Sequence, residues 1–198
     1  MATATATRRT RATRPARPTA ERPAEATGWR VAPPAGTWAI DPSRAVVAFS
    51  GRTSFVSPTI RACFAEVGGT VEVGDEHSVR VDVDVTSMTT GNRAYDEVIS
   101  AFDPFDAARH PMAVYRSSAV AWTPDGAVID GSLTLRGVTR TVSLTATYDL
   151  GRDGDRMLVR AGGSVDREGF GVRFHVPGVG KLVPRIMRLE IDVDVVRL

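Results

Sequence analysis

From about residue 36 onward, the apolar residues of this chain fall on every second position. Val79, Val81, Val83 and Val85 alternate with Arg80, Asp82, Asp84 and Thr86. Leu189, Ile191, Val193 and Val195 alternate with Glu190, Asp192 and Asp194. Ile129-Gly131-Leu133-Leu135 and Val142-Leu144-Ala146-Tyr148 keep the same beat. A period of two places alternate side chains on opposite faces of a strand, one buried and one wet. That is the habit of antiparallel sheets, because parallel strands are buried on both faces and read as continuous apolar runs.

Further strands are expected at 37–41, 45–52, 112–122 and 156–165, with a long one at 60–73 bent at Gly68-Gly69. Asp41-Pro42-Ser43, Pro124-Asp125-Gly126 and Asp153-Gly154-Asp155 supply turn signals between them. One segment has a different period. In RAYDEVISAFDP, Tyr95, Val98, Ile99 and Phe102 recur at helical spacing, and Asp103-Pro104 stops the run. The 112–122 stretch is apolar on both faces, which predicts that the helix or a second subunit covers its outer side.

Eight or so antiparallel strands must dispose of their edges, and closure into a barrel removes them. The expected fold is all-β: a closed antiparallel eight-stranded barrel with one short helix near its mouth and a disordered N-terminal tail. A barrel of this size either packs solid or holds one small ligand. Small residues taken to point inward, Ala48, Gly131 and Ala146, favour a cavity. The helix is a candidate lid over one mouth, whose deletion should speed ligand exchange.

The division of the chain is residues 1–35, an Ala/Thr/Arg/Pro-rich tail, and residues 36–198, the barrel domain. The tail has no periodicity and too little apolar surface to offset chain entropy. Its first 28 residues carry six arginines and two glutamates, so of the chain's 25 cations and 23 anions, 19 and 21 remain beyond it. The domain itself is therefore mildly acidic, which argues against a nucleic-acid-binding face. The tail's arginines are either a solvated tail or a contact for anionic lipid or nucleic acid.

The single cysteine, Cys63, excludes an internal disulfide and reads as a small buried residue. No run of 18 apolar residues exists, so no transmembrane helix is expected. The N-terminus lacks the apolar centre of a secretory signal, which reads as cytoplasmic.

Motifs that carry chemistry are sparse. The three histidines, His77, His110 and His175, have no metal-ligand spacing, and neither a metal nor a cofactor is expected. Gly178-Val179-Gly180-Lys181 lacks the frame of a phosphate loop and reads as a flexible connection. There is no G-x-S-x-G elbow. Asp103 and Asp106 are either an acid/base couple or, with Pro104 between them, a helix stop and turn. Arg136-Gly137-Val138-Thr139-Arg140 reads as a five-residue hairpin loop, with Arg136 and Arg140 either solvated or facing an anion at the barrel rim. Phe49, Phe64, Phe105 and Met112 are core or channel lining; apolar pockets and cores use the same residue types.

GSLTLRGVTRTVSL (131–144) resembles the "G-x-LT-x-GVT-x-x-V-x-L" hairpin of the YceI-like family, a lipocalin-like polyisoprenoid-binding domain. WAIDPSRAVVAF (38–49), RACFAEVGGTVEV (61–73), VTSMTTGN (85–92), DPFDAARHPMAVYRSS (103–118) and VDREGFGV (165–172) resemble further family segments in the same order. The resemblance covers about 36–198. It departs at Arg44, Thr53, Ala62 and Tyr95-Asp96-Glu97-Val98-Ile99, so polar residues around the mouth differ while the hairpins match.

The resemblance implies a protein that binds an elongated apolar ligand, an isoprenoid or similar lipid chain, as a carrier or store, and that forms homodimers. The expected lining is Phe49, Phe64, Val83 and Phe105, then Met112 and Val114, then Leu133, Leu135, Val142 and Leu144. No catalytic residue is assigned. The alternatives are an enzyme at the barrel mouth using Asp96, Asp103 or His110 as acid or base, and a ligand-free interaction or stress protein with a packed interior.

Overall fold

The structure, a computed structural model, describes residues 32–54, 59–174 and 183–198. Residues 1–31 of the expected 1–35 tail, His175 and Gly178–Lys181 lie outside the described residues, whereas Ala32 packs against the core. The strands are β1 (Gly36–Gly51), β2 (Ile60–Phe64), β3 (Val67–Val73), β4 (Ser78–Asp84) and β5 (Met88–Thr89). After helix α1 (Arg93–Phe102) come β6 (Met112–Thr123), β7 (Gly126–Leu135), β8 (Val138–Leu150), β9 (Arg156–Asp166) and β10 (Ile186–Arg197). Short 3₁₀ turns cover Val85–Ser87 and Arg167–Phe170.

All pairings are antiparallel, in the order β10-β9-β8-β7-β6-β4-β3-β1, and β1 pairs back onto β10 to close an eight-stranded barrel. The far half of β1 leaves β3 and pairs with β2, which carries β5 on its outer edge. The expected strands at 37–41 and 45–52 are one strand. Asp41 turns inside it, its carboxylate accepting from the Ser43 N–H at 3.1 Å and the Ser43 hydroxyl at 2.6 Å, and the register with β10 shifts between Ile40 and Ala45. The turn signal there produced a bulge because both flanks kept the same partner.

The expected strand at 60–73 is two strands, broken at Ala65-Glu66 instead of bending at Gly68-Gly69. The freed Ala65 and Glu66 N–H groups donate to the Ser87 hydroxyl oxygen at 3.2 and 3.0 Å, and that hydroxyl donates to the Asp84 carbonyl at 2.7 Å. One side chain replaces the missing ladder bonds at these two exposed residues.

Strand register defines two ends. One holds the β3–β4, β6–β7 and β8–β9 turns; the other holds the described residues 52–54, 59, 65–66, 85–111, 136–137, 167–174 and 183–185. The first end is packed solid. Trp38 is fully buried among Ile40, Met157, Val193 and Val195. Its Nε1–H donates to the Pro34 carbonyl at 3.2 Å, and the Arg197 guanidinium lies 5.9 Å from its ring centroid.

Helix α1 forms where its spacing predicts. The Asn92 side chain accepts from the Ala94 and Tyr95 N–H groups, and Asp103 ends the helix in the left-handed region at φ 39°. The Asp103 carboxylate then accepts from the Ala107 N–H at 2.8 Å, so the helix-stop reading of this aspartate holds. The helix does not cover the outer face of β6. It buries none of its residues, and the strand it lies against is β5.

Candidate ligand-binding lumen

The second end of the barrel is hollow. The cavity measures about 120 Å³. An apolar cavity of roughly 150 Å³ accepts a benzene-sized molecule, so this one has room for about five carbons. The interior is therefore filled in one half and open in the other.

Alternation supplies the wall. Val47 and Phe49 of β1, Val81 and Val83 of β4, Leu133 and Leu135 of β7, and Val142 and Leu144 of β8 all point inward. Met187, Leu189 and Ile191 of β10 complete the far side. Phe64 of β2 adds a ring 5.5 Å from that of Phe49, and Phe105 meets Phe64 edge-on at 5.7 Å. Phe105 reaches the lumen from the 103–111 connection, so a loop aromatic rather than α1 closes over this side.

The expected lining thus splits. Phe49, Phe64, Val83, Phe105, Leu133, Leu135, Val142 and Leu144 line the cavity. Met112 and Val114 do not: Met112 is exposed, and Ala113 and Tyr115 take the inward positions of β6. Both faces of that strand are apolar, so its local pattern carries no phase. The small-residue argument also fails in its detail. Ala48 alternates with the lining residues Val47 and Phe49 and points the other way, and Gly131 and Ala146 lie outside the lining. At Gly131 the space is taken by Tyr115, whose oxygen would lie 2.6 Å from a Cβ there.

Tyr115 forms the floor. Its hydroxyl lies 3.0 Å from the Ile129 carbonyl and 3.2 Å from that of Val142, positioned to donate to either. Burial, with a smaller contribution from Asp130, pushes its pKa up to about 12. The phenol stays neutral and turned into the sheet, and the floor presents carbon.

Arg167 is the buried cation at the rim, and the alternation gave no signal for it. Its guanidinium donates to the carbonyls of Pro184, Val172 and Val183 at 2.8, 2.8 and 2.9 Å. It also lies 3.3 Å from the Glu168 carboxylate and 5.5 Å from the Phe174 ring centroid. The arginine thereby ties together chain segments that bring Phe170, Val172, Phe174 and Val183 into the wall. The segment VDREGFGV that carries it was legible only through the family pattern.

Among the described residues, the partners of Arg136 and Arg140 are backbone carbonyls. The hairpin between them is a two-residue turn, not a five-residue loop: Arg136 and Gly137 have φ of 54° and 71°, as a type I′ turn requires. Arg136 donates to the Gly171 carbonyl and Arg140 to the Gly169 carbonyl at 2.5 Å. The pair fastens the hairpin tip to the Arg167–Phe170 turn. His110 packs against Gly137 from the Phe105 connection.

Asp96, Asp103 and His110 are absent from the lumen wall. The Asp96 carboxylate accepts from the Thr90 hydroxyl, the Thr89 hydroxyl and the Thr90 N–H at 2.6, 2.7 and 2.7 Å, which hold its pKa below the usual carboxylate value. Cys63 is free and half-buried. Among the described residues, no three His, Cys, Asp or Glu side chains converge as metal ligands would. No described helix is long and apolar enough to cross a membrane.

Comparison with known proteins places this geometry. The YceI-like domain family model matches residues 38–195. A YceI protein of Escherichia coli is 29% identical over 116 residues, 57% of this chain and 61% of that protein. A UPF0312 protein of Pseudomonas paraeruginosa is 26% identical over 117 residues, with the same coverage. These matches thus span about three-fifths of the relatives' length. Among solved structures, Burkholderia cenocepacia BcnA superposes with a TM-score of 0.66 at 22% identity, covering 78% of this chain and 98% of that one. A polyisoprenoid binding domain from Saccharophagus degradans superposes with a TM-score of 0.60 at 13% identity, covering 81% and 98%.

Proposed function

This chain belongs to the YceI-like domain family, and on that premise we propose that it takes an apolar chain, an isoprenoid or similar lipid tail, into the half-barrel lumen as a carrier or store. The observation that carries this reading is the character of the cavity: an unfilled space, walled by Phe, Leu, Val and Met side chains, with its lining cation Arg167 held by three backbone carbonyls and the Glu168 carboxylate. An empty cavity forfeits packing contacts on every lining atom, so an apolar occupant restores them. The similarity to a polyisoprenoid binding domain agrees with it.

Recognition is partition. Each buried methylene contributes about 0.8 kcal/mol, so affinity rises with tail length until the space is full. With room for about five carbons, an isoprenoid enters by its end and leaves the remainder at the mouth. The floor and the packed half behind it set that limit.

The test is to extract the purified protein with organic solvent, identify any lipid by mass spectrometry, and titrate the emptied protein with alkyl chains of increasing length. Affinity should climb and then level off at about five carbons. Flat, weak binding at every length, with no lipid in the extract, would sink the carrier reading.

A further inference from the structure

Where the hollow half of the barrel meets the packed half, the wall is built from small residues. Strand alternation puts every second residue on the inside. On β1, β7, β8 and β9 the first inward position beyond the lumen lining is Ala45, Gly131, Ala146 and Gly163. Four of the eight barrel strands thus offer a methyl group or a hydrogen at this depth, and the wall itself forms a waist rather than a floor. Behind the waist the packing is dense: Trp38, Met157 and Val195 are fully buried.

Two longer side chains lean from the lining into this waist. A Cβ built on Gly131 would lie 2.6 Å from the Tyr115 phenol oxygen, and one on Gly163 would lie 2.8 Å from Leu144 Cδ2. Each glycine is therefore the seat of a side chain from the neighbouring strand. The Tyr115 ring is fixed there by its hydroxyl, positioned to donate to the Ile129 or the Val142 carbonyl at 3.0 and 3.2 Å. Tyr115 and Leu144 are both buried, and both still line the cavity. They touch the lumen with one side and fill the waist with the other.

We propose that Tyr115 and Leu144 are the residues that set ligand length: a two-residue plug that stops an apolar chain at the waist and restricts the lumen to short apolar ends. The inference rests on the carrier reading and adds what fixes the size of the ligand. Their action is through volume. Interior packing leaves few voids, so a side chain that fills a waist of glycine and alanine decides whether carbon from a ligand can occupy it. Removing the Tyr115 ring vacates a benzene-sized space continuous with the lumen, and a tail then runs past the waist until it meets the Trp38 layer. The Tyr115 hydroxyl anchors the ring and has no part in recognising the chain.

The test titrates the full chain, emptied of lipid, with straight-chain alcohols of increasing length. In Tyr115→Ala the length at which affinity levels off should move from about five carbons to about ten, and a ten-carbon alcohol should bind at least about tenfold tighter than to wild type. Tyr115→Phe, which keeps the ring, should level off where wild type does. Leu144→Ala, over the second glycine, should move the limit in the same direction by about three carbons, and it carries the test if Tyr115→Ala does not fold. A limit that stays in place in the folded truncation variants would overturn the proposal. A wild type that takes up no alcohol sinks the carrier reading instead. Benzene, which has no tail, then decides the plug: at least about tenfold tighter binding to the folded truncation variant than to wild type upholds it, and equal binding overturns it.

Discussion

The phenol ring of Tyr115 occupies the space that a side chain at position 131 would need. A Cβ built on Gly131 would lie 2.6 Å from the Tyr115 oxygen and 2.5 Å from the Arg116 carbonyl oxygen. This one contact separates the packed half of the barrel from the hollow half, because the ring that fills it is the lumen floor.

Gly131→Ala should therefore be strongly destabilising. Part of the clash is with backbone, which cannot rotate away, so we expect a loss at or above the usual overpacking cost of about 1–3 kcal/mol. Gly68→Ala is the control: a Cβ there meets nothing within 4 Å. It should be close to neutral or stabilise by about 0.4–1 kcal/mol through the unfolded chain. Urea unfolding of both variants measures the contrast; equal midpoints would contradict it.

Arg167→Met keeps the apolar stem and removes the donors to Pro184, Val172 and Val183. A buried acceptor left unpaired costs about 1–3 kcal/mol, so the variant should lose roughly 3 kcal/mol in chemical denaturation. Arg167→Lys, a single ammonium unable to match the fork, should recover only part of it. A loss below about 1 kcal/mol would mean that the carbonyls find water instead.

Asp166 sets an acid limit on the rim. Its carboxylate pairs with Arg185 at 2.6 Å and accepts from the Glu168 and Gly169 N–H groups, and its pKa is lowered to about 2, chiefly by the Arg185 hydrogen bonds. A pKa lower in the folded than the unfolded state stabilises above the unfolded value, and that stability is lost as pH falls through the folded one. The wild-type melting temperature should thus drop between about pH 4 and pH 2 more steeply than that of Asp166→Asn. Parallel curves for the two proteins would refute the assignment.

Ala113 faces the lumen where Met112 does not, and it offers a way to fill the space from the wall. Ala113→Leu should reduce binding of a fluorescent alkyl probe at least about tenfold, because roughly three methyl-sized groups then occupy the tail's volume. Folding stability should hold or rise, as added carbon enters an existing void rather than a packed core. Met112→Leu should leave probe binding unchanged. Equal binding by wild type and Ala113→Leu would place the probe elsewhere.

Much of this architecture is dictated locally. Alternation in β4, β7, β8 and β10 marked strands and their buried faces, because a period of two is a property of single strands. The helical spacing of Tyr95, Val98 and Phe102 and the stop at Asp103 are equally local, and the structure repeats both. Where both faces of a strand are apolar, as at Met112–Tyr115, the pattern has no phase, and only pairing with β4 and β7 chose Ala113 and Tyr115 for the inside. The break at Ala65-Glu66 depended on a hydroxyl at Ser87, and the left-handed conformation of Arg136 on a two-residue strand junction held by the Gly171 carbonyl. The lumen itself is written at no single position. It is a shortfall of side-chain volume summed over many strands, so only their assembled register decides that one half of the barrel fills and the other stays open.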